Sequence, residues 1–157
     1  MTAPTRPKIV LYNPKAVFWT MPLGLVAVAS ALDDTRYEVK IIDGRLEADP
    51  LSAVLREAAG ALCIGISVLT GDPIHDALDV SRRVKREFPH LPVVWGGWHP
   101  SLFPAECLAE PSVDVAVSGQ GEETFLEVVE RLAASSDLDG VRGVTWRDAD
   151  GNVRGNL

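Results

Sequence analysis

The chain has 157 residues, 46% hydrophobic and 24% charged, which fits one globular domain able to bury a sizeable core. A net charge of −7, with Lys and Arg scattered apart from one helical cluster at positions 82–86, argues against nucleic acid or anionic membranes as main partners. Met1 to Pro7 carries no signal-peptide apolar region, the apolar stretch from Met21 to Leu32 falls short of the about 20 residues of a bilayer span, and two cysteines without metal-ligand spacing, Cys63 and Cys107, point to a reducing cytoplasm.

Residues 1–7 are polar and proline-rich and are expected to be disordered. Lys8 to Tyr12 (KIVLY) is a β-like run that ends at Asn13-Pro14. Pro22 to Leu32 has proline at its first turn and reads as a helix. That helix is apolar nearly all round, which implies either deep burial or cover by a further domain. Tyr37 to Ile42 is a second strand, stopped by Asp43-Gly44. Leu51 to Ala59 has helical spacing. Ala61 to Val68 (ALCIGISV) is a third strand, almost continuously apolar. Ile74 to Phe88 is an amphipathic helix, with Asp72-Pro73 reading as its cap and first turn. Pro92 to Trp95 is a fourth strand, Leu102 to Ala109 a short helix, Val113 to Val117 a fifth strand, and Glu122 to Leu132 a helix.

Strands that are apolar throughout are covered on both faces, as parallel strands are. The alternation therefore predicts an α/β, flavodoxin-like, doubly wound sheet of five parallel strands, with 2-1-3-4-5 as the expected order. Val141 to Arg147, a turn at Asp150-Gly151 and Asn152 to Arg154 read as a C-terminal β-hairpin appendage. The expected division is a ligand-binding α/β domain at residues 8–138 and a hairpin with linker at 139–157.

In such sheets ligands lie at the carboxyl ends of the strands. The informative loops are Asn13 to Pro22, Ser67 to Pro73, Gly96 to Ser101 and Ser118 to Glu123. None carries a glycine fingerprint for dinucleotides or nucleoside triphosphates. A receiver domain needs acidic residues where Asn13-Pro14 and Ser67-Val68 stand. A flavin-phosphate loop needs Ser and Thr where Lys15 to Trp19 stands. Gly96-Gly97 is either a tight turn or a place where a ligand meets bare backbone. Trp98 is either core or a wall for a planar ligand. Gly119-Gln120-Gly121-Glu122-Glu123 opens a helix, where carboxylates complement the dipole and free N–H groups bind an amide or a phosphate.

Ser67-Val68-Leu69 and Gly96-Gly97 resemble the S-x-L and G-G elements of cobalamin-binding domains. The ordered set of N-P after the first strand, P-L-G-L, D-G, G-I-S-V-L-T-G, V-V-W-G-G-W-H-P-S and G-Q-G-E-E-T-F resembles more closely the N-terminal domain of cobalamin-dependent radical S-adenosylmethionine enzymes. The nearest group is that related to anaerobic magnesium-protoporphyrin monomethyl ester cyclase. The likeness spans about residues 8 to 155.

The resemblance implies cobalamin as cofactor, with Ser67, Val68, Leu69, Thr70, Gly71, Gly96 and Gly97 making room for the corrin and its nucleotide tail. The D-x-H-x-x-G motif, whose His coordinates cobalt, is absent: Asn13-Pro14-Lys15-Ala16-Val17-Phe18 stands there. The implied binding is base-off and without a protein His ligand or other protein metal ligand. Asn13, Pro14, Val17, Phe18 and Trp19 then meet the lower face of the corrin. Trp98, His99, His75, Gly119, Gln120, Gly121 and Glu122 are further cofactor contacts, although the family more often has Glu where Gln120 stands. The C-x-x-x-C-x-x-C of a 4Fe-4S cluster is absent too, so radical chemistry with S-adenosylmethionine would need a radical SAM domain supplied in cis or in trans, and the chain alone carries no catalytic residue. The other expectation is a standalone small-ligand carrier or protein-docking module.

Overall fold

The computed structural model describes residues 6–17 and 21–156. Strands β1 (Lys8–Asn13), β2 (Glu38–Asp43), β3 (Ala61–Ser67), β4 (Val93–Gly96) and β5 (Val115–Val117) alternate with helices α1 (Leu23–Ala31), α2 (Pro50–Ala58), α3 (Pro73–Glu87), α4 (Trp98–Leu102), α5 (Pro104–Ala109) and α6 (Gly121–Ala133). The chain closes with β6 (Val144–Arg147) and β7 (Val153–Asn156). The sheet order is β2-β1-β3-β4-β5-β6-β7, with β1 to β5 parallel as expected.

The hairpin does more than hang from the domain. β6 pairs antiparallel with β5, so the sheet has seven strands rather than five. The reason lies in its alternation: Val144 and Trp146 point inward and join the core that holds Val115, Val117 and Phe125.

Two apolar layers flank the sheet. One, under α2 and α3, gathers Tyr12, Val54, Ile64, Ile66, Val80, Val84 and Trp95. The other, under α1 and α6, gathers Ile9, Leu11, Leu25, Cys63, Val94, Val117, Phe125 and Val129. Neighbouring strand positions feed opposite layers, as a period of two requires.

Local chemistry sets the helix ends. Asp49 caps α2, accepting a hydrogen bond from the Ser52 N–H at 3.1 Å, with Pro50 in the first turn. At α3 the expected Asp72 cap does not form. Asp72 is already helical and makes no side-chain cap bond, so the helix starts on Pro73 alone. After β4 the chain turns at Gly97, whose φ is 95°, into two short helices where the sequence reading has one. Helix α1 is not deeply buried. Leu25 is sunk in the core, while Leu23 and Val26 are 65% and 45% exposed.

Among the described residues no helix is long and apolar enough to cross a membrane. Cys63 and Cys107 are free and buried, and burial pushes both thiols up, to about 12 and about 11.

Candidate functional site

The loops that follow β3, β4 and β5 are sewn into one rim at the carboxyl edge of the sheet. Ser67 pairs with Gly96 across the β3–β4 ladder, and the Val68 N–H donates to the Gly96 carbonyl at 2.8 Å. A side chain at Gly97 would have its Cβ 3.2 Å from the Ser67 hydroxyl and from the Val68 nitrogen and carbonyl oxygen. Glycine is therefore required there twice over, by the positive φ and by the contact. The His99 N–H donates to the Val68 carbonyl at 3.0 Å, and His99 Nδ1 lies 3.2 Å from the Thr70 hydroxyl. On the far side Ser101 Oγ donates to the Gly97 carbonyl at 2.7 Å and accepts from the Gly119 N–H at 2.9 Å.

Below this rim a cavity of about 220 Å³ runs between the sheet and helices α1 and α6. It is lined by Leu11, Gly65, Ile66, Ser67, Val94, Gly96, Gly97 and Val117 from the strands and their ends. Helix α1 adds Gly24, Leu25 and Val28. The start of α6 and the loop before it add Gly119, Gln120, Gly121, Glu122 and Phe125.

Of the residues expected from sequence, Ser67, Gly96, Gly97, Gly119, Gln120, Gly121 and Glu122 meet at this cavity. The others lie elsewhere. Val68 is fully buried on the α2 and α3 side. Leu69, Thr70 and Gly71 are exposed on the rim, and His75 is exposed on α3. Trp98, 63% exposed on α4, is outside the lining, as is His99, whose ring packs 5.4 Å from that of Phe103. Asn13 ends β1, and Pro14 and Val17 stand in the loop after it, all outside the lining, with Val17 85% exposed. Phe18 and Trp19 lie outside the described residues.

That loop is held from beneath. One oxygen of Asp76 accepts from the buried Tyr12 hydroxyl at 2.6 Å and from the Lys15 N–H at 2.8 Å. Burial, with the bond to Asp76, pushes the Tyr12 hydroxyl well above its ordinary range. Asn13 donates to Asp43 at 3.1 Å. The Arg45 guanidinium, bonded to the same carboxylate, holds Asp43 down to about 2.

The sequence reading missed Leu11, Gly24, Leu25, Val28, Gly65, Ile66, Val94, Val117 and Phe125. Two periodicities carry a signal for four of them. Gly65 and Val94 stand two residues before Ser67 and Gly96 and so share their face. Val28 and Phe125 stand four residues after Gly24 and Gly121 on their helices.

A family model described as "B12 binding domain" matches residues 10–129. The chain is similar to cytidylyl-2-hydroxyethylphosphonate methyltransferase of Streptomyces wedmorensis, 33% identical over 94% of this chain and 32% of that protein. It is similar to the anaerobic magnesium-protoporphyrin IX monomethyl ester cyclase of Synechocystis sp., 30% identical over 80% of this chain and 26% of that protein. The chain thus spans about a third or less of these relatives. The radical S-adenosylmethionine methyltransferase TsrM of Kitasatospora setae, solved with cobalamin and a 4Fe-4S cluster bound, matches 97% of this chain and 29% of its own with a TM-score of 0.82 at 22% identity. OxsB, a cobalamin-dependent S-adenosylmethionine radical enzyme solved with aqua-cobalamin and S-adenosylmethionine, matches 97% of this chain and 22% of its own with a TM-score of 0.80 at 21% identity. At these identities the two structures speak for the fold.

Proposed function

The chain belongs to the B12-binding domain family, and from that premise we propose that it holds cobalamin base-off, with no protein histidine on the cobalt, as the cofactor module of a radical S-adenosylmethionine enzyme. The observation that carries this reading is the meeting of Ser67, Gly96 and Gly97 at the mouth of an apolar slot on the carboxyl edge of the sheet. The cavity fits the group. The strand position at Gly96 faces the slot, and a Cβ there would have only Val117, 3.9 Å away, for company. In this reading the corrin would lie across the rim, with its nucleotide tail passing Ser67 and Gly97 into the slot. Ser67 offers a hydroxyl at the mouth, and α6 begins at the same opening, where its first N–H groups lack intrahelical partners.

Three features support binding without a histidine ligand. The loop after β1 has Lys15 where a cobalt-binding His would stand. His99 Nδ1 is engaged with the Thr70 hydroxyl and its ring packs on Phe103. The loop itself is tied down by Asp76 and Asp43, which sets how it meets the lower face.

When bound, the cobalt supplies methyl-group or one-electron chemistry; the protein orients it. In this reading residues 8–138 carry the cofactor contacts, and the hairpin after them completes the sheet against β5 before leading on toward the radical domain. The 4Fe-4S cluster and S-adenosylmethionine would be held outside this chain, whose two cysteines are buried and separate. The relatives' names, a methyltransferase and a cyclase, bracket the chemistry of the parent protein.

The test is to mix the purified chain with hydroxocobalamin, desalt it, reduce it and record the visible spectrum. Retained pigment with a base-off spectrum is expected, lost in Gly97→Trp and Ser67→Trp. A histidine-ligated spectrum overturns the axial assignment. Failure to retain pigment overturns cofactor binding by this chain.

A further inference from the structure

The slot is apolar where it is deepest. Buried Leu11, Leu25 and Phe125 line it beside Gly65, with half-buried Val28 above them on α1. Its polar side chains, Ser67, Gln120 and Glu122, all stand at strand ends or at the start of α6, on the carboxyl edge. The β3 and β4 backbones are engaged in ladders with their neighbours. Among the described residues no buried side-chain nitrogen or oxygen lacks a partner. A guest that reaches the interior meets hydrocarbon and no free hydrogen-bonding side chain.

The size of the slot is as telling as its lining. An apolar cavity of about 150 Å³ stays dry and takes a benzene ring. This one, at about 220 Å³, has room for a fused bicyclic ring. Two glycines keep it open from opposite walls. Gly96 faces it from β4, and a Cβ there would touch nothing closer than 3.9 Å. Gly24 lines it from α1 at its exposed edge, and a Cβ there would have no neighbour within 4 Å. Neither has the positive φ that excludes a side chain. Glycine at these two positions leaves volume that the backbone does not require to be left.

We propose that this slot selects among corrinoids by their lower base, accepting an apolar benzimidazole and disfavouring a purine. The inference deepens the cobalamin reading and rests on it. A benzimidazole with two methyl groups trades water for hydrocarbon contact over its whole edge. Adenine carries an exocyclic amine and extra ring nitrogens, which would leave water for a lining that offers them no partner. Buried unpaired polar groups of this kind cost at least about tenfold in affinity.

The experiment is an equilibrium titration of the purified chain with three corrinoids, read by the visible spectrum: cobalamin, the corrinoid with adenine as lower base, and cobinamide, which has no nucleotide. Cobalamin is expected to bind at least about tenfold more tightly than the adenine form, with cobinamide weaker than cobalamin. Gly96→Val and Gly24→Leu fill the slot from its two walls, and in each the affinities for cobalamin and cobinamide are expected to converge. Thermal melts show which variants fold, and the wild-type comparison decides even where one does not. Equal affinity for cobalamin and the adenine form overturns the selectivity. A cobalamin preference that survives in folded Gly96→Val and Gly24→Leu overturns the assignment to this slot. A chain that takes up none of the three overturns the cobalamin reading itself, so the two failures are read apart.

Discussion

On the α2 and α3 side of the sheet, β1, β3 and β4 finish with Tyr12, Ile66 and Trp95, all buried. On the α1 and α6 side, the residue just before or just after each of these is Leu11, Gly65 or Gly96. The same strands thus end in three large side chains on one face and, beside a cavity on the other, in one leucine and two glycines. Trp95 even finds a partner for its polar edge, donating Nε1–H to Ser81 Oγ at 2.9 Å, while that hydroxyl donates on to the Ala77 carbonyl. The contrast teaches how a small domain combines a rigid base with an open site. Because side chains alternate, one strand serves both purposes, and stability need not be given up to make room.

The comparison is broken most severely by emptying the filled face. Trp95→Ala removes a side chain that is 2% exposed, and a loss of about 3–5 kcal/mol is expected in urea denaturation. Should the loss be below about 1 kcal/mol, the α2 and α3 side is not the stability-bearing face. A milder probe sits on the open face. A Cβ at Gly65 would lie 2.9 Å from a Leu11 methyl and 3.2 Å from the Phe125 ring. Both neighbours line the cavity and can yield into it, so Gly65→Ala should cost about 1 kcal/mol, the low end of overpacking. It should also weaken cobalamin binding as the slot shrinks, which a spectroscopic titration reads. A stability loss as large as that of Trp95→Ala would show that the face is packed rather than open.

The smallest effect concerns Asp43 at the end of β2, which ties down the end of β1. Hydrogen bonds from Arg45, then Asn13, hold the Asp43 carboxyl down to about 2. The folded state therefore binds that proton less tightly than the unfolded chain, whose Asp titrates near about 3.9. The pair contributes stability above about pH 4 and loses it as pH falls toward about 2. Urea midpoints followed from pH 5 to pH 2 should fall more steeply in the wild type than in Asp43→Asn. Parallel slopes would remove Asp43 from the acid response.

Much of the fold was legible because its signals are local. The unbroken apolar runs of β1 and β3, the helical spacing of α3 and α6 and the turn residues between them announced a doubly wound sheet. Ser67, Gly96 and Gly97 were legible as a site because small residues at strand ends stand out in a linear reading. Leu11, Val28 and Phe125 were not, since an apolar residue reads as core wherever it falls. Trp98 stood out for its size beside two glycines, yet the turn at Gly97 starts α4 at once and carries that side chain onto an exposed surface. The hairpin read as an add-on because nothing local tells which edge a strand will join.

By itself the sequence determined the order of elements, the loops that meet at the carboxyl edge and the absence of a histidine after β1. The tertiary structure alone decided that β6 and β7 extend the sheet, and that the free volume lies under α1 and α6 rather than under α2 and α3. The physical reason is that a missing side chain becomes a cavity only when the helices docked across it leave the gap unfilled, and that docking is made by residues distant in the chain.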